Sequence, residues 1–351
     1  MPATPYLRVD LARLRANIGR TAERAAAAGV ALRPHVKTHK TIEIARLQLA
    51  AGAVGISVAT VGEAETFVRQ GVSDVFVAYP LWLDDRSAGR LRDLTADATV
   101  AIGVDSVGGA ANAGRLLGDA GLEVLVEVDC GHHRSGVRPD EAGVVASTAQ
   151  RTGLRVRGVF TFPGHSYAPD ALVSSAADES AALRVAADAM RRAGIEPRVV
   201  SGGSTPSLAH SDTHLLTELR PGVYVFGDAQ QWELGAMAPE QIALTCRATV
   251  VSHAGGRLVL DSGSKVLGAD RAAYATGFGR LPDHPDARVV MLSEHHAVVD
   301  LGDTPLPSLG SQVDVVPNHV CNAVNLVDTL YAEEASGELR PWPVTARGLN
   351  S

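Results

Sequence analysis

Cysteine is scarce in this chain. Cys130, Cys246 and Cys321 are the three in 351 residues, too few and too scattered to form a disulfide framework. Basic residues are not in excess: Lys plus Arg number 32 against 39 Asp plus Glu, a formal net charge of -7. An acidic chain without a concentrated basic run gives no footing for nucleic-acid binding. No stretch reaches the roughly 18 consecutive apolar residues that a membrane helix needs. The first residues, Met1-Pro2-Ala3-Thr4-Pro5, lack the basic and apolar regions of a secretory signal. Repeats, low-complexity tracts and long linkers are also missing. Together these absences make a cytoplasmic protein, with no membrane and no nucleic-acid partner, the expectation. What remains is 46% hydrophobic and 20% charged, the balance of a soluble globular protein long enough for two domains.

From residue 12 the chain alternates longer helical patterns with short β-like runs. Residues 12–28 are rich in Ala and Arg with leucines at helical spacing, and Gly29 follows as a C-cap. Strand-like runs then fall at residues 31–36, 55–59, 74–78, 99–104, 122–128, 155–162, 197–201 and 215–219. Helical stretches such as 41–51, 61–70, 140–151 and 176–193 lie between them. Eight such units fit a (β/α)8 TIM-type barrel in count and span, with an open doubly wound sheet as the rival. From about residue 241 the pattern becomes short runs, 248–252, 257–260, 288–292, 297–299 and 312–316, separated by Gly, Asp and Pro. That predicts a smaller all-β C-terminal domain over 240–351, to which residues 1–11 can add a strand, after a barrel over 12–235.

In a barrel, residues at the C-terminal ends of the strands face the active site. Lys37 and His39 follow the first run, Asp129 to Arg134 the fifth, and Phe162, Gly164, His165 and Tyr167 the sixth. Ser201-Gly202-Gly203-Ser204-Thr205 follows the seventh and Arg220-Pro221-Gly222-Val223 the eighth. The Ser-Gly-Gly-Ser-Thr turn has the make-up of a phosphate cradle, although an ordinary Gly/Ser loop has the same letters. Gly222 strengthens the functional reading, since phosphate sites use the loops after strands seven and eight. Lys37 at a strand end, crowded by His35, His39 and Lys40, suits an amine that forms an imine; Lys40 is its competitor. His319-Val320-Cys321 offers an imidazole and a thiolate two positions apart, which on an extended strand or tight loop reach one metal ion. A buried cysteine beside a satisfied histidine is the plain alternative. Two ligands fall short of a structural site, and their softness favours zinc over Mg2+ or Mn2+. His295 and His296 are expected to support the metal, with a polar strand edge as the alternative; His132 and His133 are expected to be loop residues, and Cys130 and Cys246 to be structural. Residues 340–351 carry no signal.

The motifs Arg33-Pro-His-Val-Lys37-Thr-His-Lys40, Gly164-His-Ser-Tyr167, Ser201-Gly-Gly-Ser-Thr-Pro206, Arg220-Pro-Gly-Val-Tyr224 and Pro317-Asn-His-Val-Cys-Asn322 together resemble the fold-type III pyridoxal-phosphate enzymes. The likeness runs over nearly the whole chain. Within that family the chain is similar to the metal-dependent group of D-serine dehydratase, D-threonine aldolase and the 3-hydroxyaspartate lyases. The resemblance implies that Lys37 carries pyridoxal 5'-phosphate and that Gly203, Ser204, Thr205 and Gly222 hold its phosphate. It implies that Phe162 lies near the pyridine ring, where racemases have a histidine, and that Arg220 faces the ring nitrogen. Tyr167 and Tyr224 join the cofactor-binding set, and His319 and Cys321 bind the metal. An arginine beside the ring nitrogen discourages its protonation.

Plain alanine racemases place a tyrosine base early in the β domain. Here that stretch reads Asp261-Ser262-Gly263-Ser264-Lys265, which leaves two-base racemisation without its second base. The resemblance therefore implies a lyase acting on a D-3-hydroxy amino acid. A dehydratase releasing a 2-oxo acid and ammonia comes first, and an aldolase giving glycine and an aldehyde second. A racemase and a non-catalytic pyridoxal-phosphate-binding protein follow. A homodimer is implied as well.

Overall fold

The computed structural model describes residues 2–351, which divide into two compact units. One comprises Ala22–Lys37, Gln48–Gly222 and Leu349–Ser351; the other comprises residues up to Thr21, Thr38–Leu47 and Val223–Gly348.

The first unit is the parallel barrel. Its strands, in chain order, are Ala31–Leu32, Ile56–Val58, Asp74–Pro80, Thr99–Val104, Glu123–Glu127, Arg155–Phe160, Val199–Gly202 and Glu218–Leu219. Each pairs in parallel with its chain neighbours, except that the first pairs with the eighth. The ring closes between the first and second strands through a parallel bridge, His35 to Ser57. Ser57 N–H donates to Pro34 O at 2.8 Å and Val54 N–H to Leu32 O at 2.9 Å. Closure therefore falls on the extended residues after Leu32, and the open-sheet alternative is set aside.

Helices start where caps allow. Thr60 accepts Glu63 N–H ahead of Val61–Arg69, Asp84 and Ser87 form a capping box ahead of Asp85–Leu94, and Ser106 accepts Gly109 N–H ahead of Val107–Leu117. The barrel interior is apolar around Phe76, Ala101, Leu125 and Phe160. The rings of Phe76 and Phe160 meet edge to face at 4.9 Å. Arg33, 1% exposed, joins Glu218 at 2.7 Å and Asp74 at 2.8 Å. A buried guanidinium persists only with such partners.

The second unit carries a nine-stranded sheet among the described residues. Tyr6–Asp10 lies between Leu244–Ser252, antiparallel, and Thr329–Glu333, parallel, so the expected N-terminal strand is present. Leu244–Ser252 also pairs with Gln312–Pro317. Leu258–Leu260, Ala297–Asp300 and Arg288–Leu292 continue the sheet on one side, and Leu339–Pro343 closes the other. Asp314 ties the sheet's layers of charge together, taking Arg8 at 2.6 Å and Arg247 at 3.3 Å.

For His295 and His296 the structure favours the polar strand edge over support of a metal. His295 and His296 are exposed, in the turn between Arg288–Leu292 and Ala297–Asp300, and stand as a polar hairpin tip. The tail, which carries no signal in the sequence, packs onto the structure. Leu339–Pro343 is a strand, Ala346 N–H donates to Lys40 O at 3.1 Å, and Leu349 O accepts the Thr60 hydroxyl at 2.8 Å. No helix among the described residues is long and apolar enough to cross a membrane.

Candidate active site

The ends of the barrel strands surround a cavity of about 550 Å³ lined by His35, Lys37, Tyr79, Asp105, Arg134 and Ser135, with Ala59, Ala78 and Pro80. Lys37 is not on a strand, as the spacing suggested, but in the 3-10 turn Val36–Thr38. Its Nζ lies 5.6 Å from the centroid of the Phe162 ring, and the Arg134 guanidinium lies 5.1 Å from the same ring. Cations over an aromatic face are attracted to its negative quadrupole. The competitor, Lys40, is buried with positive φ, and its Nζ donates to Asn325 Oδ1 at 2.8 Å. Lys40 holds structure; Lys37 faces the cavity.

Phe162 has further neighbours. The His132 ring meets it edge-on at 5.7 Å and Tyr167 lies tilted at 6.3 Å. His132 rests against Gly164, where a Cβ would fall 2.4 Å from its Nε2. Burial, then Arg134 and His165, push the His132 imidazole below its ordinary pKa. His132, expected as a bystander, is thus part of the wall around Phe162. His133 is the exposed loop residue, 2.6 Å from Asp129.

The turn after the seventh strand is held from behind. Gly203 has φ +86°, and its N–H donates to Glu179 Oε1 at 2.6 Å. Ser204 Oγ lies 2.8 Å from both Ser166 Oγ and Ser207 Oγ. Ser204 and Thr205 are buried. Arg220 is buried between rings, 5.1 Å from Phe160 and 5.7 Å from Phe76. Its Nε donates to Ser201 Oγ at 2.7 Å, and it also donates to Thr161 O. Burial holds its pKa below the ordinary value, against the pull of Glu218, Glu179 and Glu127. Gly222 sits half-buried in the turn after the eighth strand. Tyr224, in the 3-10 turn Val223–Val225 of the second unit, is buried.

In the second unit His319 is the extended residue that starts the helix Val320–Asn325, with φ -130° and ψ 102°. Cys321 lies in the first turn of that helix, so the pair meets at a strand-to-helix corner and not along a strand. His319 Nδ1 is 2.5 Å from Asp270 Oδ2. Cys321 Sγ lies 3.4 Å from the Thr38 hydroxyl. Asp228, 1% exposed, accepts Val320 N–H at 3.1 Å and Gln231 N–H at 2.8 Å. It thereby fixes the backbone between His319 and Cys321. Burial pushes Asp228 up to about 6, while His319 and the two N–H groups pull it down.

Burial opposes charge on the His319 imidazole, but Cys321, Asp270 and Asp228 outweigh it and raise the pKa far above the usual range. The cluster stabilises positive charge at this point, whether a proton or a cation carries it. Among the described residues no group of three or more His, Cys, Asp or Glu side chains is arranged to hold a metal. The pair expected from the sequence, His319 and Cys321, thus stands with the Nδ1 of His319 engaged by Asp270, so that Nε2 is the ring nitrogen a metal would take. That donor set fits a catalytic metal with open positions. Cys130 and Cys246 are buried, and burial pushes Cys130 up to about 12 and Cys246 higher still. Burial of this kind keeps both as protonated thiols near neutral pH.

A closed parallel barrel with a cavity-facing lysine, and a second unit of mostly antiparallel strands, define an alanine-racemase-like protein. The family models agree in both parts. The alanine racemase N-terminal domain matches residues 9–230, and the putative serine dehydratase domain matches residues 243–332. The chain belongs to the fold-type III pyridoxal-phosphate enzymes, in the branch that joins these two domains. It is 36% identical to the D-threo-3-hydroxyaspartate dehydratase of Delftia sp. (strain HT23), over 97% of this chain and 96% of that one. It is 33% identical to a D-threonine aldolase of Arthrobacter sp., over 99% and 93%. The solved Delftia dehydratase superimposes with a TM-score of 0.90 at 32% identity, covering 98% of this chain and 97% of that one. A variant of that dehydratase is known in a metal-free form.

Proposed function

We propose that this chain is a lyase that removes the β-hydroxyl of a D-3-hydroxy amino acid, releasing a 2-oxo acid and ammonia. It does so with pyridoxal phosphate on residues 12–235 and a divalent metal on residues 240–351, zinc before manganese or magnesium. The observation that carries this reading is the His319–Cys321 corner, its imidazole oriented by Asp270, in a family member whose Lys37 lines the barrel cavity.

Pyridoxal phosphate, when bound, supplies an electron sink that acidifies the α-carbon of an amino acid joined to it. Lys37 would hold it, and Ser204, Thr205, Gly203 and Gly222 would take its phosphate. The Lys37 amine, once free, takes the α-proton onto Nζ. Phe162 gives that amine an apolar, aromatic face, which keeps water from its side. Arg220, fixed by Ser201 and Thr161, places a guanidinium beside the turn that begins at Ser201. His319 and Cys321 would hold the metal, which would supply Lewis acidity for a departing hydroxyl. Thiolate with imidazole suits zinc.

The aldolase reading has one observation in its favour, the near-equal likeness to the Arthrobacter aldolase; Cys321 favours dehydration, because a soft ligand suits zinc. A cytoplasmic homodimer belongs to the same reading, supported by the composition and by the racemase scaffold. The experiment is ammonia release from D-threo-3-hydroxyaspartate, D-serine and D-threonine and from their L counterparts, before chelation, after it, and after zinc is returned. Release from D substrates alone, lost with chelator and regained with zinc, is expected. Release from L substrates, or indifference to chelator, would overturn the proposal.

A further inference from the structure

Glu179 has no place in that chemistry, yet its position is costly. It sits in the helix Leu172–Arg192 and is fully buried. Oε1 accepts the Gly203 N–H at 2.6 Å, and Oε2 has no hydrogen-bond partner among the described residues. An ionisable group out of water with half its oxygens unpaired is expensive, and native chains keep such groups for a reason.

The backbone has been shaped around this carboxyl. A Cβ at Gly202 would fall 2.4 Å from Oε1 and 2.8 Å from Cδ. Gly202 therefore has no side chain where Glu179 must pass. The next residue, Gly203, takes φ +86°, a conformation that glycine adopts without strain. Two adjacent glycines thus serve one contact. That contact fixes the turn carrying Ser204 and Thr205. Among charged groups, Arg220 offsets the buried carboxyl, and its Nε donates to Ser201 at the start of the same turn.

We propose that Glu179 is a positioning residue for the cofactor phosphate. By taking the Gly203 N–H it locks the Ser201–Thr205 turn in the one conformation that presents Ser204 and Thr205 to a phosphate. This inference rests on reading that turn as the phosphate holder.

Its test compares two ligands that differ only in the phosphate, pyridoxal 5'-phosphate and pyridoxal. Each is titrated by absorbance into the full chain freed of cofactor. The readout is the ratio of the two Kd values. Glu179→Leu removes the acceptor, Gly202→Ala pushes the carboxyl aside with one methyl, and Glu179→Gln keeps an acceptor oxygen. The ratio is expected to fall by about tenfold or more in the first two, the worth of roughly one good hydrogen bond. The glutamine variant should stay within about threefold of the unaltered protein, and pyridoxal alone should bind all of them alike. If Glu179→Leu does not fold, the milder Gly202→Ala carries the test. A folded variant of either kind that keeps the full ratio, or weakens both ligands equally, overturns the proposal. An unaltered protein that does not prefer the phosphorylated ligand would instead sink the phosphate reading of the turn.

Discussion

His319 Nδ1 is held 2.5 Å from Asp270 Oδ2, which leaves Nε2 as the ring nitrogen available to a metal. Outer carboxylates of this kind fix the tautomer and orientation of a ligating histidine. Asp270→Asn should therefore weaken metal binding by about ten- to a hundredfold, read by competition with a chromophoric chelator. The absorbance of added pyridoxal phosphate bound to the protein should not change. Equal metal affinity in the variant would mean that the carboxylate merely packs.

Lys37 and Lys40 have been separated by their surroundings. Lys37→Ala should abolish the imine absorbance of the purified protein. Lys40→Met should keep it and lower the melting temperature, since Lys40 Nζ reaches Asn325 and its carbonyl receives Ala346 N–H. Imine absorbance that follows Lys40 would reverse the assignment.

Burial lifts Glu179 from 4.5 to about 7, with the Gly203 N–H and Arg220 pulling the other way. The folded state thus binds this proton more tightly than the unfolded chain does. Stability from this group is fully present below about pH 4.5 and is lost as pH rises to about 7, a change of roughly 3 kcal/mol. Glu179→Gln removes the titration, so the variant should gain stability relative to the unaltered protein between pH 5 and 7. Urea unfolding of both at several pH values measures it. A difference constant with pH would contradict the assignment.

Arg33 joins Asp74 of the third barrel strand and Glu218 of the eighth. Arg33→Ala leaves Glu218, also buried, without its closest cation. Breaking such a pair costs about 3–5 kcal/mol. Denaturant midpoints should shift accordingly, whereas a shift below about 1 kcal/mol would show that Arg157, 3.8 Å from Glu218, suffices.

What the sequence disclosed follows from where its physics is local. Alternation of β-branched runs with helical ones marks all eight barrel strands, and the strand at Tyr6–Asp10 as well. Closure was not visible, because it rests on one bridge from His35 rather than on a run of strand residues. Leu339–Pro343 was hidden by its two prolines, which an edge strand accommodates. Lys37, the glycine turns and His319–Cys321 stand out as motifs. Asp270, Asp228 and Glu179 do not. A lone acidic residue carries no mark of burial, and their partners lie 49, 92 and 24 positions away in the chain. Only the fold brings each to the motif it serves.

The most direct measurement is a product analysis with D-threo-3-hydroxyaspartate and D-threonine on the zinc-loaded protein, quantifying 2-oxo acid, ammonia, glycine and aldehyde in one time course. The account predicts 2-oxo acid and ammonia in equal amounts with no glycine. Glycine and aldehyde without 2-oxo acid would contradict it and make the chain an aldolase.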